Sequence, residues 1–168
     1  GTWRAEKLDS IGQHLQIIDD LNTATPAFSQ ALGLIVETVT EQSSTKRKVL
    51  RDLSQRFPAP TIIVSNSSYF LPSQLSRYIQ DASRFAHLHF HVPVAYANLV
   101  DIVPCEHCRP EVIAALNQFA ADIGQVSLVQ TVENPGYIFN WLLQSVLTSA
   151  LELIQRGVAT PEQIELAW

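Results

Sequence analysis

Apolar residues along this chain follow two periods, and the order in which those periods alternate predicts the architecture. Leu8, Ile11, Leu15, Ile18 and Leu21 recur at helical spacing, so residues near 5–21 are expected to form an amphipathic helix. Pro26 can open a short helix through Leu32, since proline is tolerated in a first helical turn. The run from Leu34 to Val39 predicts a strand. Ser43 or Ser44 can cap the next helix, which runs through Arg56 with Val49, Leu50 and Leu53 on one face. Thr61 to Ser65 predicts a buried strand, Pro72 to about Ile79 a helix, and Phe85 to Phe90 and Leu99 to Val103 two more strands. A helix from Pro110 is expected to end near Gly124, a residue suited to a C-cap. Val126 to Val132 is a further strand.

After the Asn134-Pro-Gly136 turn comes the longest helical pattern, Tyr137 to Arg156, stopped by Gly157. Thr160 and Gln163 form the capping box of a last helix. Strands alternate with helices and then give way to helices alone. The expectation is an α/β layered sheet over residues 1–132, with 1–32 as a helical lead-in, and a separate helical element over 133–168.

Composition narrows the partners. The chain has 168 residues, 46% of them hydrophobic and 16% charged, which is the balance of a globular protein rather than a disordered one. A formal net charge of -5 argues against nucleic acid and against an anionic membrane surface. No apolar run approaches the length of a membrane span, and Gly1 to Lys7 lacks the apolar core of a signal peptide. Two cysteines, Cys105 and Cys108, are too few for a disulfide framework. The expected setting is the cytoplasm.

The candidate chemistry lies on two consecutive predicted strands. His89 and Asp101 stand twelve positions apart, and a neutral imidazole backed by a carboxylate is a general base with its tautomer fixed. His87, His89 and His91 alternate and so share one face of a strand. With Cys105-Glu-His-Cys108 nearby, three imidazoles and a thiolate also make a zinc reading possible. The helix after residue 137 carries more apolar surface than one face needs, so a non-catalytic oligomerisation module is a third reading.

From Leu34 to Trp168 six segments, in register, resemble the NAD-dependent 3-hydroxyacyl-CoA dehydrogenases. Val36-Glu-Thr-Val-Thr-Glu41 followed by Lys46 resembles a signature of two acidic residues before a lysine. Val64-Ser-Asn-Ser-Ser68 resembles the family's Ser-Asn-Thr-Ser turn. Leu88-His-Phe-His-Val-Pro93 resembles its His-Phe-Phe-Asn-Pro segment, and Leu99-Val-Asp-Ile-Val103 its Leu-Val-Glu-Ile-Ile. Asn134-Pro-Gly-Tyr-Ile-Phe-Asn140 resembles Pro-Gly-Phe-Ile-x-Asn, and Gly157 to Glu165 resembles Gly-x-Ala-x-x-Glu-Asp-Ile-Asp. Leu71-Pro-Ser73 and Leu99 to Pro104 also look like the lambda-crystallin or L-gulonate 3-dehydrogenase branch.

The resemblance implies the second half of a Rossmann-type nucleotide-binding sheet, followed by the first helices of an all-α C-terminal domain. It implies hydride transfer between NAD and a 3-hydroxyacyl thioester, or a small 3-hydroxy acid, within fatty acid metabolism. His89 would be the general base, oriented by Asp101. Ser65 and Asn140 would bind the substrate oxygen, and Glu41 and Lys46 would lie along the cofactor; no metal is implied. The family dimerises through its second domain, so a homo-oligomer is expected. Three departures stand out: Val92 replaces an asparagine, Trp141 an arginine, and Asp101 a glutamate one methylene longer. The six glycines, at 1, 12, 33, 124, 136 and 157, cannot build the Gly-x-Gly-x-x-Gly turn that grips a dinucleotide diphosphate. The chain thus reads as short at both ends, either a piece of a larger enzyme or a truncated relative.

Overall fold

The computed structural model describes residues 17–20, 33–94 and 97–168. Contacts divide the chain into a unit of Gly1–Leu32 and a unit of Gly33–Trp168. Of the helix expected near 5–21, residues 17–20 are not helical, and the rest lies outside the described residues. The short helix expected from Pro26 to Leu32 also lies outside them.

In the second unit, five strands form one sheet in the order β1-β2-β3-β4-β5. They are β1 (Leu34–Glu37), β2 (Ile62–Ser65), β3 (Phe85–Phe90), β4 (Leu99–Pro104) and β5 (Val126–Val129). Strands β1, β2 and β3 run parallel, β4 runs antiparallel to β3, and β5 runs parallel to β4. The parallel pairs need crossovers, which α1 (Ser43–Arg56), α2 (Pro72–Ser76) and α3 (Pro110–Asp122) help supply. Two further helices, α4 (Phe139–Gln155) and α5 (Pro161–Ala167), close the chain. The sheet with flanking helices is the expected α/β architecture, and the closing helices match the start of a helical domain.

Local signals explain most boundaries. Pro72, Pro110 and Pro161 each sit in a first helical turn, where a missing amide costs nothing. Thr160 Oγ1 accepts from the Gln163 amide while Gln163 Oε1 accepts from the Thr160 amide, as the capping box predicts. At α1 the expectation of a serine cap fails. The helix begins at Ser43 itself, and Gln42 precedes it with no side-chain cap bond. The strands β1 and β5 are shorter than their apolar runs, because Val39 and Val132 lie beyond the ladder.

One face of the sheet carries the core. Val64, Ala86, Leu88, Val100 and Ile102 are all fully buried, and Val112, Leu116 and Ala120 of α3 pack with them. Because successive side chains on a strand point to opposite faces, this alternation turns His87, His89 and Asp101 to the other face. Among the described residues no helix is long and apolar enough to cross a membrane.

Candidate active site

The antiparallel register of β3 and β4 sets His89 directly opposite Asp101. Opposed side chains on one face are close enough to touch. His89 Nδ1 lies 3.1 Å from Asp101 Oδ2, a direct contact, so the shorter acid spans the gap with no intermediary. With Nδ1–H donated to the carboxylate, Nε2 carries the lone pair, and Ser68 Oγ lies 2.9 Å from it. Asp101 is fully buried and His89 is 7% exposed, so their contact is shielded from bulk water while the ring keeps an opening. His91 Nε2 also reaches Asp101 Oδ2, at 2.8 Å, and Gln130 Nε2 donates to Oδ1 at 3.3 Å.

His87 faces the same way but has a different partner. Tyr137 donates its hydroxyl to the Ser67 carbonyl at 2.5 Å, which leaves the phenol oxygen to accept from His87 Nδ1 at 2.7 Å. His87 Nε2 is buried with no partner among the described residues. Burial first, then the nearby Lys46 charge and then His89, pushes the His87 pKa down to about 3, so this ring is neutral. Tyr137 has φ 53, a left-handed backbone that a bulky side chain adopts only at a cost. Its two hydroxyl bonds and its tilted ring contact with His89, centroids 4.9 Å apart, hold it there. Burial also moves the phenol pKa well above its ordinary value.

The second predicted cluster forms at the carboxyl ends of β1 and β2. Lys46 Nζ lies 3.0 Å from Glu37 and 3.1 Å from Glu41. Lys46 and Glu37 are buried, whereas the Glu41 side chain is 38% exposed. Burial tends to raise the Glu41 pKa. Hydrogen bonds from Ser67 and Lys46, the Lys46 charge and the Tyr69 amide outweigh that and hold it below the ordinary value. Glu37→Gln removes the charge that neutralises a buried ammonium. Breaking a buried pair costs roughly 3–5 kcal/mol, and Glu41 holds the loss near the low end, about 3 kcal/mol. Urea unfolding of Glu37→Gln against Glu41→Gln checks this: the first should lose several-fold more stability than the second.

The predicted residues therefore come together in part. His89 and Asp101 pair, and Glu41 and Lys46 pair. Ser65 is fully buried and donates its hydroxyl to Glu37 at 2.6 Å, so its proton is engaged there rather than at His89. The serine at the open side of the imidazole is Ser68, three positions on in the same turn. That turn is fixed because Asn66 Oδ1 accepts from the Phe90 amide at 2.8 Å. Asn140 lines a cleft of about 540 Å³ together with Ser68, Tyr69, Phe70, Leu71 and Trp141. Gly136 shapes it: its φ is +75, and an added Cβ would stand 3.3 Å from the Asn140 Cβ. Val92 is exposed and Trp141 half-exposed.

The zinc set read from the sequence does not assemble, since His87 turns to Tyr137 while His89 and His91 turn to Asp101. Cys105 Sγ lies 3.3 Å from both the Ala82 and the Phe85 carbonyl oxygens, with one hydrogen to share between them, and burial raises its pKa. Burial and the neighbouring Cys105 push Cys108 up to about 12. Neither thiol is poised as a thiolate. Sequence reasoning gave no role to Ser68 or Tyr137, placed His91 only in the zinc reading, and placed Glu37 only as one of two acidic residues before a lysine. The signals available were the second serine of the turn, and tyrosine and histidine where the resembling segments carry phenylalanine.

Comparison with known proteins points one way. The family described as "3-hydroxyacyl-CoA dehydrogenase, NAD binding domain" matches residues 1–133, so the likeness also covers the first 33 residues. Mitochondrial hydroxyacyl-coenzyme A dehydrogenase of Sus scrofa is 30% identical over 152 residues, 89% of this chain and 48% of that protein. L-carnitine dehydrogenase of Bacillus cereus is 34% identical over 134 residues, 80% of this chain and 41% of that protein. The crystal structure of 3-hydroxybutyryl-CoA dehydrogenase from Escherichia coli has the same fold. It matches with a TM-score of 0.86 and 24% identity over 95% of this chain and 33% of that one. The chain spans about half the length of the curated relatives it matches.

Proposed function

The chain belongs to the 3-hydroxyacyl-CoA dehydrogenase family, and from that premise we propose that His89 moves the proton in an NAD-linked oxidation of a 3-hydroxyacyl thioester. The observation that carries this is the line Asp101 Oδ2, His89 Nδ1, His89 Nε2, Ser68 Oγ, in contacts of 3.1 and 2.9 Å. Asp101 keeps the proton on Nδ1 and so leaves Nε2 free to act as a base. The substrate 3-hydroxyl gives its proton to Nε2, and Asp101 stabilises the imidazolium that results. In the reverse direction the imidazolium returns that proton to the 3-oxo oxygen. Ser68 hydrogen-bonds the reacting oxygen and Asn140 orients the substrate from the facing side of the cleft. Ser65 acts one step back, holding Glu37.

NAD supplies the hydride acceptor when bound. In open α/β sheets ligands lie beyond the carboxyl ends of the parallel strands, which is where Glu41, Ser67 and Ser68 stand. The part-exposed Glu41 carboxylate suits a ribose hydroxyl. Lys46 spends its ammonium on Glu37, Glu41 and the Val39 carbonyl, so it positions Glu41 rather than meeting the cofactor. These residues fit the nicotinamide end of a dinucleotide. The sequence's glycines offer no cradle for its diphosphate.

The apolar cleft walls, Tyr69, Phe70, Leu71 and Trp141, favour an acyl chain over a small polar 3-hydroxy acid. A role in fatty acid metabolism follows from that choice. The family match ends at residue 133, which supports a boundary before α4. Helix α4 buries none of its side chains and exposes Leu142, Val146, Leu147 and Leu151, so self-association through it belongs to this reading. Both cysteines are free, which suits the cytoplasm. The test is addition of NAD and 3-hydroxybutyryl-CoA, with L-gulonate as the comparison substrate. NADH should form with the thioester. No NADH from it, together with no thioester-induced change in the ring nuclear-magnetic-resonance signals of His89, overturns the proposal.

A further inference from the structure

One imidazole and one carboxylate are enough for the proton transfer, yet a second imidazole sits on the same carboxylate oxygen. His91 Nε2 is 2.8 Å from Asp101 Oδ2, and His89 Nδ1 is 3.1 Å from it. One donor atom from each of these three side chains lies within 4.8 Å of the others, and all three residues are buried. The backbone explains the convergence. Positions 89 and 91 point to the same face, and position 101 is the cross-strand partner of 89. The segment that this stretch resembles carries phenylalanine at position 91, so the third donor is a property of this chain.

We propose that His89, His91 and Asp101 form a binding site for a zinc-class divalent metal ion, which when occupied holds His89 in the tautomer opposite to the one a base needs. Two imidazoles and a carboxylate are ordinary zinc donors, and three protein ligands with an open fourth position is a common zinc arrangement. Ligands about 2.05 Å from a tetrahedral ion stand roughly 3.3 Å apart. The two N···O distances here fall short of that by only a few tenths of an ångström, so the side chains need only part slightly to admit the ion. Both rings keep 7% of their surface exposed, which gives an ion a way in. Coordination replaces the two N–H groups that face Asp101. On His89 the displaced proton takes the other ring nitrogen, so the neutral ring ends with metal on Nδ1 and hydrogen on Nε2. That nitrogen then donates to Ser68 and can no longer accept a proton.

Only the consequence for the base rests on the function proposed above; metal binding does not. The test is therefore read without turnover. Cobalt(II) is titrated into the metal-free protein and into His91→Phe, Asp101→Asn and the control His107→Ala, whose histidine is exposed. The expected result is a four-coordinate visible absorption band that zinc displaces. Affinity should fall by at least about tenfold in the first two variants, since even an outer-shell partner is worth that much, and stay unchanged in His107→Ala. In the unsubstituted protein, zinc should move the His89 ring proton from Nδ1 to Nε2 in nitrogen-15 spectra, which guards against a variant that merely misfolds. No band, a band whose affinity is unchanged in His91→Phe, or a His89 ring unmoved by zinc overturns the proposal. If the site binds metal and the metal-free protein forms no NADH, the function fails and the metal site stands.

Discussion

His89→Ala is expected to lower dehydrogenase turnover by roughly 10²- to 10⁴-fold, the usual worth of a positioned acid–base group, with little change in unfolding midpoint. The two halves of that expectation have separate causes. Turnover falls because, among the described residues, neither neighbouring histidine takes the place of Nε2 beside Ser68: His87 is tied to Tyr137 and His91 points at Asp101. Stability holds because Asp101 keeps His91 and Gln130 as partners, so the buried carboxylate is not stranded. The fully buried layer of Val64, Leu88, Val100 and Ile102 lies on the other face of the sheet and is untouched. Steady-state assay and thermal melting of the same preparation read both. Turnover retained in His89→Ala sinks the assignment. Asp101→Asn separates orientation from presence: an amide that turns its NH₂ toward Nδ1 selects the wrong tautomer, so turnover falls although the imidazole remains.

The sheet was largely legible in the sequence because its strands are short apolar runs separated by proline, glycine and polar turns. Phe85–Phe90 is bounded as expected, and Leu99–Pro104 differs from the reading by one residue. The pairing of His89 with Asp101 was legible through the family resemblance, and the antiparallel register that sets them opposite each other is what the structure adds. What escaped was any contact made by residues distant in the chain. Ser65 and Ser68 are alike in type and three positions apart, and only the path of the turn, fixed by Asn66 on β3, decides which hydroxyl meets the imidazole. Tyr137 lies 50 positions from His87 and 70 from Ser67, and periodicity carries no information about such a meeting. Glu37 was legible as one of two acidic residues before a lysine, with no partner assigned to it. Its role appears only once Lys46, nine positions on, folds back under it.

The burial of His87 leads to the largest stability effect expected of this chain. His87 is fully buried, and its pKa is pushed from 6.5 down to about 3 by burial, the Lys46 charge and His89, in that order. The sign follows from proton uptake. Between pH 6.5 and 3 the unfolded chain protonates this ring and the folded chain does not, so unfolding takes up a proton and stability falls as pH falls. The contribution is fully present above pH 6.5 and is lost progressively down to about pH 3. At about 1.4 kcal/mol per unit, the whole window is worth roughly 4–5 kcal/mol, of which about 2 kcal/mol is gone by pH 5. Glu41 adds an acid loss of its own, but as a carboxylate with a lowered pKa it acts below its ordinary value of 4.5. The interval from pH 6.5 to 5 therefore isolates the histidine from Glu41. His87→Phe keeps a ring of similar size between Phe85 and Tyr137, and Tyr137 still donates to Ser67. Urea unfolding at a series of pH values should show the parent protein losing stability steadily over that interval and His87→Phe losing markedly less. Equal slopes would mean that the ring is protonated in the folded state. In that case Tyr137 could not be holding a neutral imidazole under the sheet.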